Sequence, residues 1–201
     1  VLVAGGLAML IELLGYRPLL QKKARRIYLL ITGLGISTMC ENLIIICFSS
    51  RFRVYPINFS NESINILGAS VGQIDLIIFV VSMIALIAVE LFIRKSRAGL
   101  AIRGASFDLE ATSLMGVNVQ KLILIVFMIA GSLAGLAGAL LGAKYTAFPT
   151  LGTAMTNKAF ISSVFGGLGS IPGAVLGAIL LGVGETMIAS YVSSSMRDIF
   201  A

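Results

Sequence analysis

Two acidic side chains interrupt apolar runs of this chain. Glu41, followed by Asn42, lies inside the run 27–48, and Glu185, followed by Thr186, lies past the middle of the run 171–192. An ionisable group in hydrocarbon is costly, so each marks a functional position by default. A carboxyl beside an amide or hydroxyl can bind a proton or touch a passing polar solute. Both pairs are therefore candidates for lining a translocation path. The alternative is a carboxyl that is protonated, or hydrogen-bonded to a neighbouring helix, for packing alone. Glu12, Asp75 and Glu90 sit near the ends of apolar runs, where snorkelling to the interface suffices. Glu90 has Arg94 one turn on, and Asp75 falls at a helix start.

Other chemistries are excluded by what is missing. The chain has no histidine, which removes most catalytic triads, most zinc sites and the commonest proton shuttle. No metal site is expected. Cys40 and Cys47 lie about 10 Å apart along one helix and cannot pair without unwinding it. The run Gly166-Gly167-Leu168-Gly169-Ser170 lacks the Lys and Ser/Thr that must follow the glycines of a phosphate loop. Gly166, Gly167, Gly169 and Gly173 are read instead as a hinge or break.

The elements that must position these groups are membrane helices. Hydrophobic residues make up 58% of the 201 and charged residues 12%, about half the charged share of a soluble domain. The mean hydropathy is +1.01. Runs longer than 18 residues require helices rather than barrel strands. The fold class is an all-α polytopic transmembrane bundle, read as one domain over 1–201 with spans at about 1–14, 27–48, 73–93, 122–143 and 171–192. The net charge of +6 comes from lysines and arginines clustered between spans without interleaved aromatics. That is a topology signal, not a nucleic-acid one. The basic stretches 15–26 and 94–121 should face the cytoplasm, and the nearly neutral 49–72 the outside. Residues 144–157 read as an external loop, and 158–165 is too short to span, so a half-helix or re-entrant element is expected there. Arg197 hints that the last span ends toward the cytoplasm.

In the run 122–143, Ala130, Ala134, Gly138 and Gly142 recur every fourth position, beside a second row of Gly131, Gly135, Ala139 and Ala143. Such rows let helix backbones approach closely, the main association force in lipid. The break 94–121 holds a short amphipathic helix, expected over 106–116. Ser106 is its candidate N-cap, and Asp108 and Glu110 suit the positive end of its dipole. Phe107, Ala111, Leu114 and Met115 make one apolar face, and Gly116 a left-handed stop. Such a face can dock on a protein partner or lie on lipid.

The stretch SRAGLAIRGASFDLEATSLMGVNV closely resembles the cytoplasmic loop of LivH-type permeases of branched-chain amino acid ABC importers. Glu110-Ala111-Thr112, with Gly116 six residues after the Glu, resembles the Glu-Ala-Ala…Gly coupling motif of such importers, with Thr112 departing from Ala. Ile11-Glu12 with Tyr16-Arg17-Pro18-Leu19, and Phe165 to Ser170 with Pro172-Gly173, extend the resemblance over essentially the whole chain. It implies a multi-pass transport subunit of a bacterial or archaeal cytoplasmic (inner) membrane, not an enzyme. Its expected partners are a second, LivM-like permease, two cytoplasmic ATPase subunits, an extracytoplasmic substrate-binding protein and the lipid bilayer, with no nucleic acid. No cofactor is expected in this chain, since ATP and magnesium belong to the ATPases. Against LivH-type chains it is expected to be a fragment lacking the first membrane helices and the last. Two alternatives stay open: a ribose-type sugar permease, and an ion-coupled transporter using Glu41 and Glu185.

Overall fold

The computed structural model describes residues 1–22, 26–48, 63–66, 69–145, 148, 150–167 and 169–191. They group into two compact units, 1–149 and 150–201, each taken by itself below. Among the described residues five helices are long and apolar enough to cross a membrane, and the bundle is helical as its apolar runs demand.

In the first unit, α1 (Leu2–Ile11) passes through a π-helical turn (Glu12–Tyr16) into α2 (Arg17–Gln21). The first span is thus longer than the expected 1–14, and much of the basic stretch 15–26 is helix. Pro18 stands at the second position of α2, directly after the π-helical turn, and the helix continues through it. Then come α3 (Arg26–Phe48), a hairpin of β1 (Ser63–Ile66) and β2 (Ala69–Gly72), and α4 (Gln73–Lys95). The hairpin pairs Ser63 with Gly72 and Ile66 with Ala69, so part of the expected external loop is ordered strand. The rest of that loop, 49–62 and 67–68, lies outside the described residues. α5 (Arg97–Phe107) and α6 (Leu109–Leu114) lead to α7 (Val119–Lys144).

The α1–α7 seam is built on small residues. A Cβ on Gly131 would collide with Ala8, and one on Gly135 with Ala4. Numbering rises along α1 as it falls along α7, so the helices run antiparallel. Tyr16 meets Phe127 in a tilted ring contact, 5.0 Å between centroids. Arg17 Nη2 donates to Gln120 Oε1 at 2.9 Å, putting α2 and the start of α7 at one end. Lys144 and Asp75 form an ion pair at the other. Glu90 and Arg94 pair at 2.8 Å.

The second unit is a hairpin of α8 (Leu151–Phe165) and α9 (Ile171–Tyr191). The loop expected over 144–157 is therefore helical from Leu151. At 1.5 Å per residue α8 is about 22 Å long, shorter than a bilayer core of about 30 Å. Gly167 and Gly169 turn the chain at φ +91° and +102°. The Ser170 hydroxyl then caps α9, accepting from Gly173 N at 3.2 Å. Residues 192–201, with Arg197, lie outside the described residues.

Candidate functional site

Burial is inverted relative to a soluble protein. Among the described residues the buried polar side chains are Glu12, Thr112, Ser162 and Glu185, whereas Leu2, Ile46, Phe79, Leu180 and many other large apolar side chains are exposed. Apolar atoms face outward because lipid or another subunit can cover them. Each polar group turned inward must then find a partner within the chain.

Glu185 has one. Its Oε1 accepts from Lys158 Nζ at 2.8 Å, with the Glu side chain 6% and the Lys side chain 27% exposed. The two stand on facing helices, 27 positions apart in sequence. The helices are held together mainly by backbone proximity. A Cβ on Gly177 would collide with the Ser162 carbonyl, and one on Gly166 with the Gly173 carbonyl. Gly166 and Gly173 therefore allow a close crossing, while the φ-requiring turn falls on Gly167 and Gly169. The Ser162 hydroxyl donates to the Lys158 carbonyl at 2.7 Å. Beside the glycine end of this seam lies a cavity of about 530 Å³, lined by Phe165, Leu176, Leu180 and Leu181. Sequence reasoning missed Lys158, although a lone cation inside a weakly polar run was a signal for it.

The remaining candidates are dispersed. Asn42 is exposed, and its Nδ2 donates to the Thr38 carbonyl at 2.8 Å. Glu41 beside it is half-buried. The Thr186 hydroxyl donates to the carbonyls of its own helix at Gly182 and Val183. Of the two small-residue rows on α7, Gly131 and Gly135 meet α1. Ala130, Ala134 and Gly138 are exposed, and Gly142 is buried.

Glu12 was expected to snorkel. Instead it is 1% exposed, and its Oε2 finds no hydrogen-bond partner among the described residues. The π-helical turn starts at this residue. The turn adds a residue to the helix from Glu12 onward, and such turns recur at functional positions.

The break between α4 and α7 is built as follows. The Ser96 hydroxyl caps α5 by accepting from Gly99 N at 2.8 Å. Gly99 packs so tightly that a Cβ would collide with the Ile93 backbone, making the α4–α5 corner rigid. The expected continuous helix 106–116 is broken. Asp108 is extended (φ −152°) and is the N-cap of α6, its Oδ1 accepting from Glu110 N and Ala111 N at 2.8 and 3.1 Å. Ser106 is not the cap; its hydroxyl donates to the Arg103 carbonyl within α5. A carboxylate satisfying two orphan N–H groups outcompetes a hydroxyl already bonded within its own helix. Gly116 closes α6 at φ +83°. Phe107, Leu114 and Met115 are 93%, 87% and 84% exposed, and Ala111 and Glu110 are exposed with them. Thr112, the departure from the coupling motif, is buried, its hydroxyl donating to the Asp108 carbonyl at 2.7 Å. The exposed surface is thus unaffected by that departure.

A sequence-family model described as "Branched-chain amino acid transport system / permease component" matches residues 1–201. The LivH high-affinity branched-chain amino acid permease protein of Salmonella typhimurium is 34% identical over 99% of this chain. BraD of Pseudomonas aeruginosa, a protein of the same description, is 34% identical over 100%. In both cases the chain spans 66% of the relative's length. The fructose import permease FruF of Bifidobacterium longum is 26% identical over 61% of this chain and 37% of its own. No solved structure matches.

Proposed function

We propose that this chain, which belongs to the permease family of branched-chain amino acid transport systems, is the membrane-spanning part of an ABC importer that moves branched-chain amino acids across the cytoplasmic membrane. The observation that carries the reading is the exposed apolar surface of Phe107, Leu114 and Met115 on the connection between two spans. In the importer, that surface docks on a cytoplasmic ATPase. α4 is joined to α5 by the rigid Ser96–Gly99 corner, α6 follows α5 directly at Asp108, and α7 begins at the Asn118 cap, whose Oδ1 accepts from Lys121 N at 3.1 Å. A displacement of α6 by ATP-driven closure of the ATPases is therefore passed to both spans. A second, LivM-like permease completes the path, two ATPase subunits hold ATP and magnesium, and an extracytoplasmic binding protein delivers the substrate. All 201 residues act as one permease domain. The sugar-permease alternative accounts for less of the chain.

The test is uptake of labelled leucine, ribose and urea by the reconstituted complex with its cognate binding protein. Leucine uptake dependent on ATP is expected. Uptake of ribose or urea alone would reject the substrate assignment, and leucine uptake driven by a proton gradient without ATP would favour ion coupling.

A further inference from the structure

We propose that the corner between α4 and α5 is a binding site for anionic phospholipid headgroups of the cytoplasmic leaflet, formed by Lys95, Arg97 and Arg103 around the exposed side chain of Leu100. The site goes beyond the transport reading and does not depend on which solute the chain moves.

Three observations lead there. First, α5 has two unlike faces. Ala98, Gly99, Ala101, Ile102 and Ala105 are buried or half-buried, where α5 packs on α4 and α7. Arg97, Leu100 and Arg103 follow one another at three-residue spacing on the other face and are exposed, Leu100 at 65%. Cations flanking a large apolar side chain suit the boundary between acyl chains and headgroups. Second, the cations are available. Lys95, Arg97 and Arg103 pair with no carboxylate among the described residues, whereas the neighbouring Arg94 is held by Glu90 at 2.8 Å. α5 holds no acidic residue, and the next one, Asp108, is engaged in capping α6. Third, the depth is set. α4 has 23 residues, about 34 Å of helix against a bilayer core of about 30 Å, so its last turn, with Lys95, reaches the headgroup layer. Gly99 lies against the Ile93 backbone, which brings Leu100 level with that turn rather than out in the cytoplasm. A side chain at that depth meets lipid before it meets a soluble ATPase. Unpaired cations there attract anionic headgroups, each strengthening the attraction about fivefold.

Photo-crosslinking in the full reconstituted complex tests this, with a benzoylphenylalanine in place of Leu100 and vesicles of phosphatidylcholine mixed with phosphatidylglycerol. Irradiation should give a phosphatidylglycerol adduct, identified by mass, in excess of that lipid's share of the vesicle. Crosslinking to an ATPase subunit or to the second permease instead, or lipid adducts in proportion to the mixture, would overturn the proposal, as would no lipid adduct at all. Arg97→Gln and Arg103→Gln should each raise the phosphatidylglycerol fraction needed for half-maximal labelling about fivefold. Both side chains are exposed, so neither change threatens the fold. Arg97→Lys and Arg103→Lys keep the charge and should leave that fraction unchanged. Undiminished labelling in the glutamine variants would show that Leu100 touches lipid without a headgroup site beside it, and would sink the proposal while leaving the transport reading intact.

Discussion

At the scale of single residues, Glu12 and Asp108 separate what side-chain type implies from what backbone geometry decides. The sequence locates Glu12 near a span end but says nothing of its radial direction. Its buried Oε2, without a hydrogen-bond partner among the described residues, carries an unmet desolvation penalty, so Glu12→Leu should leave stability unchanged or raise it by about 1–3 kcal/mol. Unfolding temperature in detergent is the measurement. A clear drop would mean that the carboxyl is engaged by a neighbour. Asp108→Ala should loosen α6 by about 1 kcal/mol, as loss of an N-cap does, read as faster proteolysis between Phe107 and Gly116. Ser106→Ala should change little, since its hydroxyl serves only α5. Two plausible caps two residues apart could not be ranked from sequence, because the choice depends on where the preceding helix ends.

At the scale of elements, hydropathy made the long helices legible, since the signal sums over about twenty residues. Their ends and contacts were less so. Either small-residue row on α7 suits close packing, and only the antiparallel partner α1 selects Gly131 and Gly135. Gly131→Ala should therefore destabilise by about 1–3 kcal/mol through overpacking, whereas Gly138→Ala meets open space and should be neutral in the isolated chain. The same thermal measurement compares the two. The Lys158–Glu185 pair was half legible. Glu185 stood out against its apolar run, but its partner required knowing that α8 starts at Leu151 and folds back on α9. For the proposed coupling surface, Leu114→Asp puts a charge on a side chain that would be buried at an ATPase interface, at several kcal/mol. Membrane insertion should persist while stimulated transport and co-purification of the ATPase are lost. Gly116→Val should weaken transport too, as a β-branched residue fits poorly at φ +83°. Retained ATPase binding with full uptake in Leu114→Asp would make α6 a lipid-surface element.

At the scale of the molecule, charge alone suggested which connections share a side, and the contacts of the first unit supply an independent argument. The Arg17–Gln120 bond ties α2 to the start of α7, and the Lys144–Asp75 pair ties the end of α7 to the start of α4. With α7 crossing between them, these contacts stand at opposite ends. Arg17, Arg94, Lys95, Arg97, Arg103 and Lys121 belong to elements at the first end, as the excess of cations on cytoplasmic connections requires. The measurement is accessibility to a membrane-impermeant thiol reagent in a variant with Cys40 and Cys47 replaced. Gln21→Cys and Ser106→Cys should label together from the cytoplasmic face, and Tyr145→Cys should label only from the other. Labelling of Gln21→Cys and Ser106→Cys from opposite faces would break the topology. It would also remove the ATPase-facing position of α6, because Gln21 and Ser106 flank the two elements that converge on the start of α7.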